Sequence, residues 1–286
     1  MQGAPEPAPA NASPGHAPRI LVADASLAAR RSLVAAIARV APRARVVEAA
    51  TGREVADALK AGAGEIALID LRMPAMNAAE ALGIARQDGV RPFVVLMSQE
   101  LDPATEAFAR DIEAYEFLIK PVEAQEIRQI LSNHARMRKP SRVLVAEHSK
   151  TIRHLIRKVL AGTRFALTVD VVDNGEVALG MLRQHAYDAF FLDYEMPGLD
   201  GLETACLVPE VSPSTRVVMI SADPTEAVEK AARYFGAVDF LRKPFYPPQV
   251  DRALHLAFEL PLPSLLVNLG RAGSRPQDGR LVAAGF

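Results

Sequence analysis

The chain has 286 residues, half of them hydrophobic, and a formal net charge of -1. That length accommodates two ordinary domains, and because basic and acidic side chains nearly cancel in each half, neither half has the basic excess of a nucleic-acid-binding domain. No apolar run approaches the roughly 20 residues needed to cross a bilayer, and the single cysteine, Cys206, makes no internal disulfide, in keeping with a reducing compartment. Cys206 is expected as a small core residue.

Residues 1–18 have no early basic cluster and no apolar centre, and read as a disordered Pro/Ala-rich tail rather than a signal peptide. The apolar run RILVA then ends on Asp24, with Ser26 placed to cap a helix over LAARRSLVAAIARV. ARVVEA is a strand, Gly52 opens a helix to about Lys60, and EIALID is a third strand that delivers Asp70. A helix over 77–88 follows, then PFVVLMS as a strand ending on Ser98, PATEAFARDI as a helix with proline in its first turn, YEFLIKP as a strand carrying Lys120, and EAQEIRQILSNHARMR as a helix. Only Lys139, Pro140 and Ser141 separate it from the next apolar run, RVLVAE, a junction short enough to limit reorientation.

From there the order repeats. An offset of 123 residues, held without a gap, takes Asp24 to Glu147, Ser26 to Ser149, Arg30 to Arg153, Gly52 to Gly175, Asp70 to Asp193, Ser98 to Ser221, Phe117 to Phe240 and Lys120 to Lys243. The second set comprises helices over 151–162, 175–186, near 201–208, 224–235 and about 248–259, with strands at RVLVAE, FALTVDVVD, YDAFFLD, TRVVMIS and VDFLRKP. Strand and helix alternating five times over predict a parallel sheet covered on both faces, twice. The units are expected at 19–139 and 140–260. Residues 261–286 are expected as a disordered or self-packing C-terminal tail with no room for an output domain. The polar members of the repeat all close apolar runs, so they converge on one sheet edge, where open α/β folds place their chemistry.

Each half resembles the receiver domain of two-component response regulators, the CheY-like, flavodoxin-like doubly wound α/β fold with five parallel strands and five helices. The resemblance rests on an acid after the first strand, Asp-x-x-Met-Pro after the third, a hydroxyl after the fourth and Lys-Pro after the fifth. It implies that Asp70 and Asp193 accept a phosphoryl group from a phosphohistidine, with Lys120 and Lys243 pairing with one phosphoryl oxygen and Ser98 and Ser221 donating to another. It also implies that the Lys-Pro peptides are cis. Mg²⁺ is the expected cofactor, held by Asp24, Asp70 and the Arg72 carbonyl in the first unit and by Glu147, Asp193 and the Glu195 carbonyl in the second. Phe117 and Phe240 occupy the aromatic switch position.

Both halves lack the family's second acid: the pairs here are Asp24-Ala25 and Glu147-His148. Mg²⁺ binding is therefore expected to be weak, above all in the first unit, where the Arg72 guanidinium stands in part for the cation. The Glu195 side chain is expected to join Glu147 and Asp193 as a third carboxylate, with His148 as an extra ligand or a spectator, which favours the second unit as the acceptor. The implied partners are a histidine kinase or histidine phosphotransfer protein and a downstream protein target, with a homodimer through the last helix-strand-helix face. The place implied is the cytoplasm, without nucleic acid or membrane. The implied reactions are self-phosphorylation from a donor and autodephosphorylation at most. The rival reading is a phosphorylation-independent adaptor.

Overall fold

A computed structural model describes residues 17–222 and 225–267. The first unit runs β1 (Arg19–Ala23), α1 (Leu27–Val40), β2 (Arg45–Ala49), α2 (Gly52–Lys60), β3 (Ile66–Asp70), α3 (Ala78–Gln87), β4 (Phe93–Ser98), α4 (Pro103–Asp111), β5 (Glu116–Ile119) and α5 (Ala124–Arg138). The second runs β6 (Ser141–Ala146), α6 (Lys150–Ala161), β7 (Leu167–Val172), α7 (Gly175–Gln184), β8 (Ala189–Asp193), α8 (Gly201–Val211), β9 (Arg216–Ser221), α9 (Glu226–Tyr234), β10 (Ala237–Arg242) and α10 (Pro247–Ala257). A last short helix, α11 (Ser264–Val267), follows.

Each unit is one five-stranded sheet, all parallel, in the orders β2-β1-β3-β4-β5 and β7-β6-β8-β9-β10. The central strands are mostly buried, and β4 (FVVLMS) and β8 (AFFLD) are buried from end to end, because helices cover both faces. Helix α8 runs through Pro209 to Val211, past the expected end near 208.

The repeat extends to the devices that set loops and helix starts. Asn77 and Glu80 form a capping box at α3, and Asp200 and Glu203 form the same box at α8. Gly52 and Gly175 open α2 and α7 where a Cβ would lie 2.0 Å from the Met76 carbonyl oxygen or 2.2 Å from Thr204 Oγ1. Glycine there lets the helix start pack closely against the loop after β3 in the first unit and against α8 in the second. One pair breaks the symmetry. Gly198 has φ 80°, and its counterpart Ala75 takes φ 66°, a left-handed conformation that costs an L-residue about 1–2 kcal/mol.

The two units are welded together. One hydrophobic cluster runs from Ile20, Tyr115, Ile130 and Met137 of the first unit into Val143, Phe165, Leu254 and Phe258 of the second. Across this seam Asn133 Nδ2 donates to Tyr115 Oη at 2.7 Å, Tyr115 Oη lies 3.1 Å from His255 Nε2, and His255 Nδ1 lies 2.6 Å from the Asp251 carbonyl. A carbonyl only accepts, so Nδ1 carries the proton and Nε2 accepts from the tyrosine. The Arg136 guanidinium stacks 4.2 Å from the Phe258 ring centroid, and Arg164 donates to the Glu113 carbonyl. Helix α11 returns to the first unit, where Ser264 donates to the Glu116 carboxylate and Leu265 is buried in the same cluster as Phe117. The segment 261–267 thus packs on the neighbouring unit, where disorder or self-packing was expected. The remainder of the expected tail, and residues 1–16, lie outside the described residues. Cys206 also differs from expectation: it is exposed on α8, between the buried Ala205 and Val208.

Candidate functional site

Parallel strands all deliver their last residues to one rim, so each unit gathers an acid, an aspartate, a serine and a lysine there. In the first unit Lys120 Nζ hydrogen bonds Asp24 Oδ2 and lies 2.9 Å from Asp70 Oδ2. The free oxygens are held by backbone: Ser26 N–H donates to Asp24 Oδ1 at 2.8 Å, and Arg72 N–H to Asp70 Oδ1 at 3.3 Å. The Arg72 guanidinium, expected between the two acids, is turned instead to Gln99 Oε1 at 3.4 Å. Lys120 occupies the place assigned to that cation.

In the second unit Lys243 Nζ lies 2.6 Å from Glu147 Oε2 and 2.8 Å from Asp193 Oδ1. The other oxygen of each carboxylate faces His148, whose Nδ1 is 3.1 Å from Asp193 Oδ2 and 3.3 Å from Glu147 Oε1. Ser149 N–H donates to Glu147 Oε1 at 2.8 Å. Glu147 and Asp193 are wholly buried. Burial pushes the Asp193 carboxyl above the usual carboxylate range against the pull of Lys243 and His148, and the charge of Glu147 adds to the rise. Burial also works against the charge of Lys243, but its bonds to Asp193 and Glu147 outweigh that and hold the ammonium above the ordinary lysine value. Two buried carboxylates are tolerable here because an ammonium is shared between them.

Ser98 and Ser221 end β4 and β9 and are both buried, and the Ser221 hydroxyl has no hydrogen-bond partner among the described residues. Backbone bonds from Lys120 N–H to the Ser98 carbonyl, 2.7 Å, and from Lys243 N–H to the Ser221 carbonyl, 2.8 Å, tie each serine to its lysine. Both Lys-Pro peptides are cis. Phe117 is buried on β5, and Phe240 is half-buried on β10. Glu195 does not join the second pocket: its side chain is exposed, and the three donors that converge among the described residues are Glu147, His148 and Asp193, with their ligand atoms within 4.8 Å of one another. Two carboxylates with an imidazole suit a divalent cation, whereas the first pocket offers two carboxylates and, among the described residues, no third donor.

Sequence reading gave Arg30 and Arg153 no task. Each reaches six residues back to brace the loop after the first strand of its unit: Arg30 Nη1 donates to the Asp24 carbonyl at 2.8 Å, and Arg153 Nη1 to the Glu147 carbonyl at 2.6 Å. Their recurrence at the same spacing from the acid was the available signal. His154 and His185 are exposed, as expected of surface residues.

The chain is 31% identical over 140 residues to protein-glutamate methylesterase/protein-glutamine glutaminase 1 of Paramagnetospirillum magneticum, a match covering 47% of this chain and 36% of that protein. It is 28% identical over 113 residues to the chemotaxis protein CheY of Bacillus subtilis, covering 40% of this chain and 91% of CheY. The chain thus spans little more than a third of the length of the methylesterase. A solved structure described as a two-component system response regulator/GGDEF domain protein shares the fold, with a TM-score of 0.58 at 23% identity over 84% of this chain and 97% of that one. The family model for the response regulator receiver domain matches twice, at residues 20–132 and 143–255. With a match in each unit, this chain belongs to the response regulator receiver domain family and carries two receivers in tandem.

Proposed function

We propose that the chain accepts a phosphoryl group from a phosphohistidine onto aspartate, with Asp193 the principal acceptor and Asp70 the lesser one, and signals through protein contacts. A carboxylate oxygen attacks phosphorus, the P–N bond breaks, and the leaving imidazole takes up a proton. Lys243 and Ser221 neutralise and orient the phosphoryl oxygens in this reading, as Lys120 and Ser98 do in the first unit. A divalent cation on Glu147, Asp193 and His148 would supply the remaining positive charge. The observation that carries the choice of Asp193 is the convergence of those three donors beside Lys243, against two carboxylates in the first pocket.

The donor is a histidine kinase or histidine phosphotransfer protein, in the cytoplasm. In the first unit β5 and α5 pack against the second unit and α11, so a downstream target or a second copy meets the corresponding face of the second unit, formed by α9, β10 and α10.

The test is labelling of the full chain with a phosphorylated histidine donor and a divalent cation, read by mass spectrometry on wild type, Asp70→Asn and Asp193→Asn. Label that survives Asp70→Asn and falls to a minor fraction in Asp193→Asn supports the reading. Label confined to Asp70 reverses the assignment. No label at either aspartate replaces it with a phosphorylation-independent scaffold, a reading favoured by the shared core across the seam.

A further inference from the structure

The two pockets carry the same formal charge, two carboxylates against one ammonium, so charge does not distinguish them. Donor type does. The residue after the first acid is Ala25 in one unit and His148 in the other, and the imidazole is placed to use its nitrogen. Lys243 takes Glu147 Oε2 and Asp193 Oδ1, which leaves Glu147 Oε1 and Asp193 Oδ2 facing His148 Nδ1 at 3.3 and 3.1 Å. An ion bonded at about 2.0–2.2 Å, with ligands about 90–110° apart, separates neighbouring donors by about 2.8–3.6 Å. Both measured separations lie in that interval. The carboxylates are wholly buried while the imidazole is 44% exposed, so the pocket opens past His148. On the adjoining strand Ser221, one residue past the register partner of Asp193, is buried, and its hydroxyl has no hydrogen-bond partner among the described residues.

We infer that the second receiver is a mixed nitrogen-oxygen site for a borderline first-row divalent cation, of the Zn²⁺ and Co²⁺ type, in preference to Mg²⁺. Magnesium favours an all-oxygen octahedron and keeps its waters, whereas imidazole is a strong ligand for the later first-row ions. The Ser149 N–H bond to Glu147 Oε1 and the Arg153 bonds to the Glu147 and His148 carbonyls fix the loop that presents both ligands, an outer support of the kind metal sites use. The inference rests on reading this pocket as a cation site and does not require phosphoryl transfer.

The experiment is titration of the full chain with Co²⁺ alone, followed by its visible ligand-field absorption, and then competition with Zn²⁺ and with Mg²⁺. Wild type is expected to bind Co²⁺ at least about tenfold more tightly than Mg²⁺. His148→Ala should lose at least about tenfold in Co²⁺ affinity, the scale on which even outer-sphere partners act, while His154→Ala and His185→Ala leave it unchanged. Ala25→His installs the nitrogen in the first unit and should add a second Co²⁺ site, an arm that does not depend on His148→Ala folding. Equal affinity for Mg²⁺ and Co²⁺ in wild type, Co²⁺ binding indifferent to His148→Ala, or no second site in Ala25→His would each overturn the inference. Binding of neither ion would remove the cation reading of the pocket itself.

Discussion

Replacing Tyr115 by phenylalanine removes one oxygen from the seam and leaves the ring in place, so the test isolates a hydrogen-bond relay from packing. The relay runs one way, from Asn133 N–H to the tyrosine oxygen, from the tyrosine O–H to His255 Nε2, and from Nδ1–H to the Asp251 carbonyl. In the Phe variant Asn133 keeps a second acceptor, the Pro261 carbonyl at 3.2 Å. His255 is 1% exposed, and its Nε2 has no other donor among the described residues. One buried acceptor left unsatisfied costs about 1–3 kcal/mol, and in a chain of this size each kcal/mol lowers Tm by about 2–4 °C. Differential scanning calorimetry of the full chain should give a single transition that moves down as a whole, because the cluster on which Tyr115 sits belongs to both receivers. Two separate transitions, or one that moves while the other stays, would show that the receivers unfold independently and that the seam is cosmetic.

Burial holds His255 and His134 down to about 4 and raises Asp251 to about 6. The histidines are depressed in the fold, so the unfolded chain binds more protons between 4 and 6.5 and their contribution is lost as pH falls; Asp251 is raised, so its contribution has the opposite sign. Two histidines outweigh one aspartate from pH 7 to 6, a net loss of about 1 kcal/mol, and the curve flattens lower down, where Glu116 and Asp193, also raised by burial, join Asp251. Urea midpoints across that range check this, and a midpoint that rises on acidification contradicts it. Ala75→Gly should stabilise the chain by about 0.5–1 kcal/mol by relieving the left-handed alanine, and Gly198→Ala should destabilise it by a similar amount, since nothing crowds a Cβ at Gly198; thermal melts of both variants decide, and effects of equal sign refute it. Lys243→Met strands two buried carboxylates at a cost of about 3–5 kcal/mol, and added Co²⁺ should recover part of the lost Tm; recovery in the variant no greater than the shift in wild type counts against the cation pocket.

What the sequence made legible is what strand geometry dictates. An apolar run that stops on Asp70 or Asp193 puts that aspartate at the rim, and a fixed offset puts a serine and a lysine beside it. Rotamers of rim residues are not set that way. Arg72 and Glu195 are long side chains in exposed loops, free to turn outward, and both did. His148 is restrained by its neighbours on either side, Glu147 and Ser149, and turned in. The seam was beyond reach for another reason: Tyr115 and His255 are 140 residues apart, and no local pattern tells a buried histidine at an interface from one on a surface helix. Cys206 misled because a small apolar residue on a helix reads as core wherever the neighbouring positions are buried.

The return of α11 to the first receiver has a consequence for how the polypeptide is made. Translation delivers the first receiver before its neighbour exists, so the wall holding Tyr115, Ile130 and Met137 leaves the ribosome bare. The serine that binds Glu116 and the leucine that lies with Phe117 arrive only after the whole second receiver has been synthesised. A nascent chain halted at Pro140 exposes that apolar wall, and the contacts of α11 close only once the second receiver has been made.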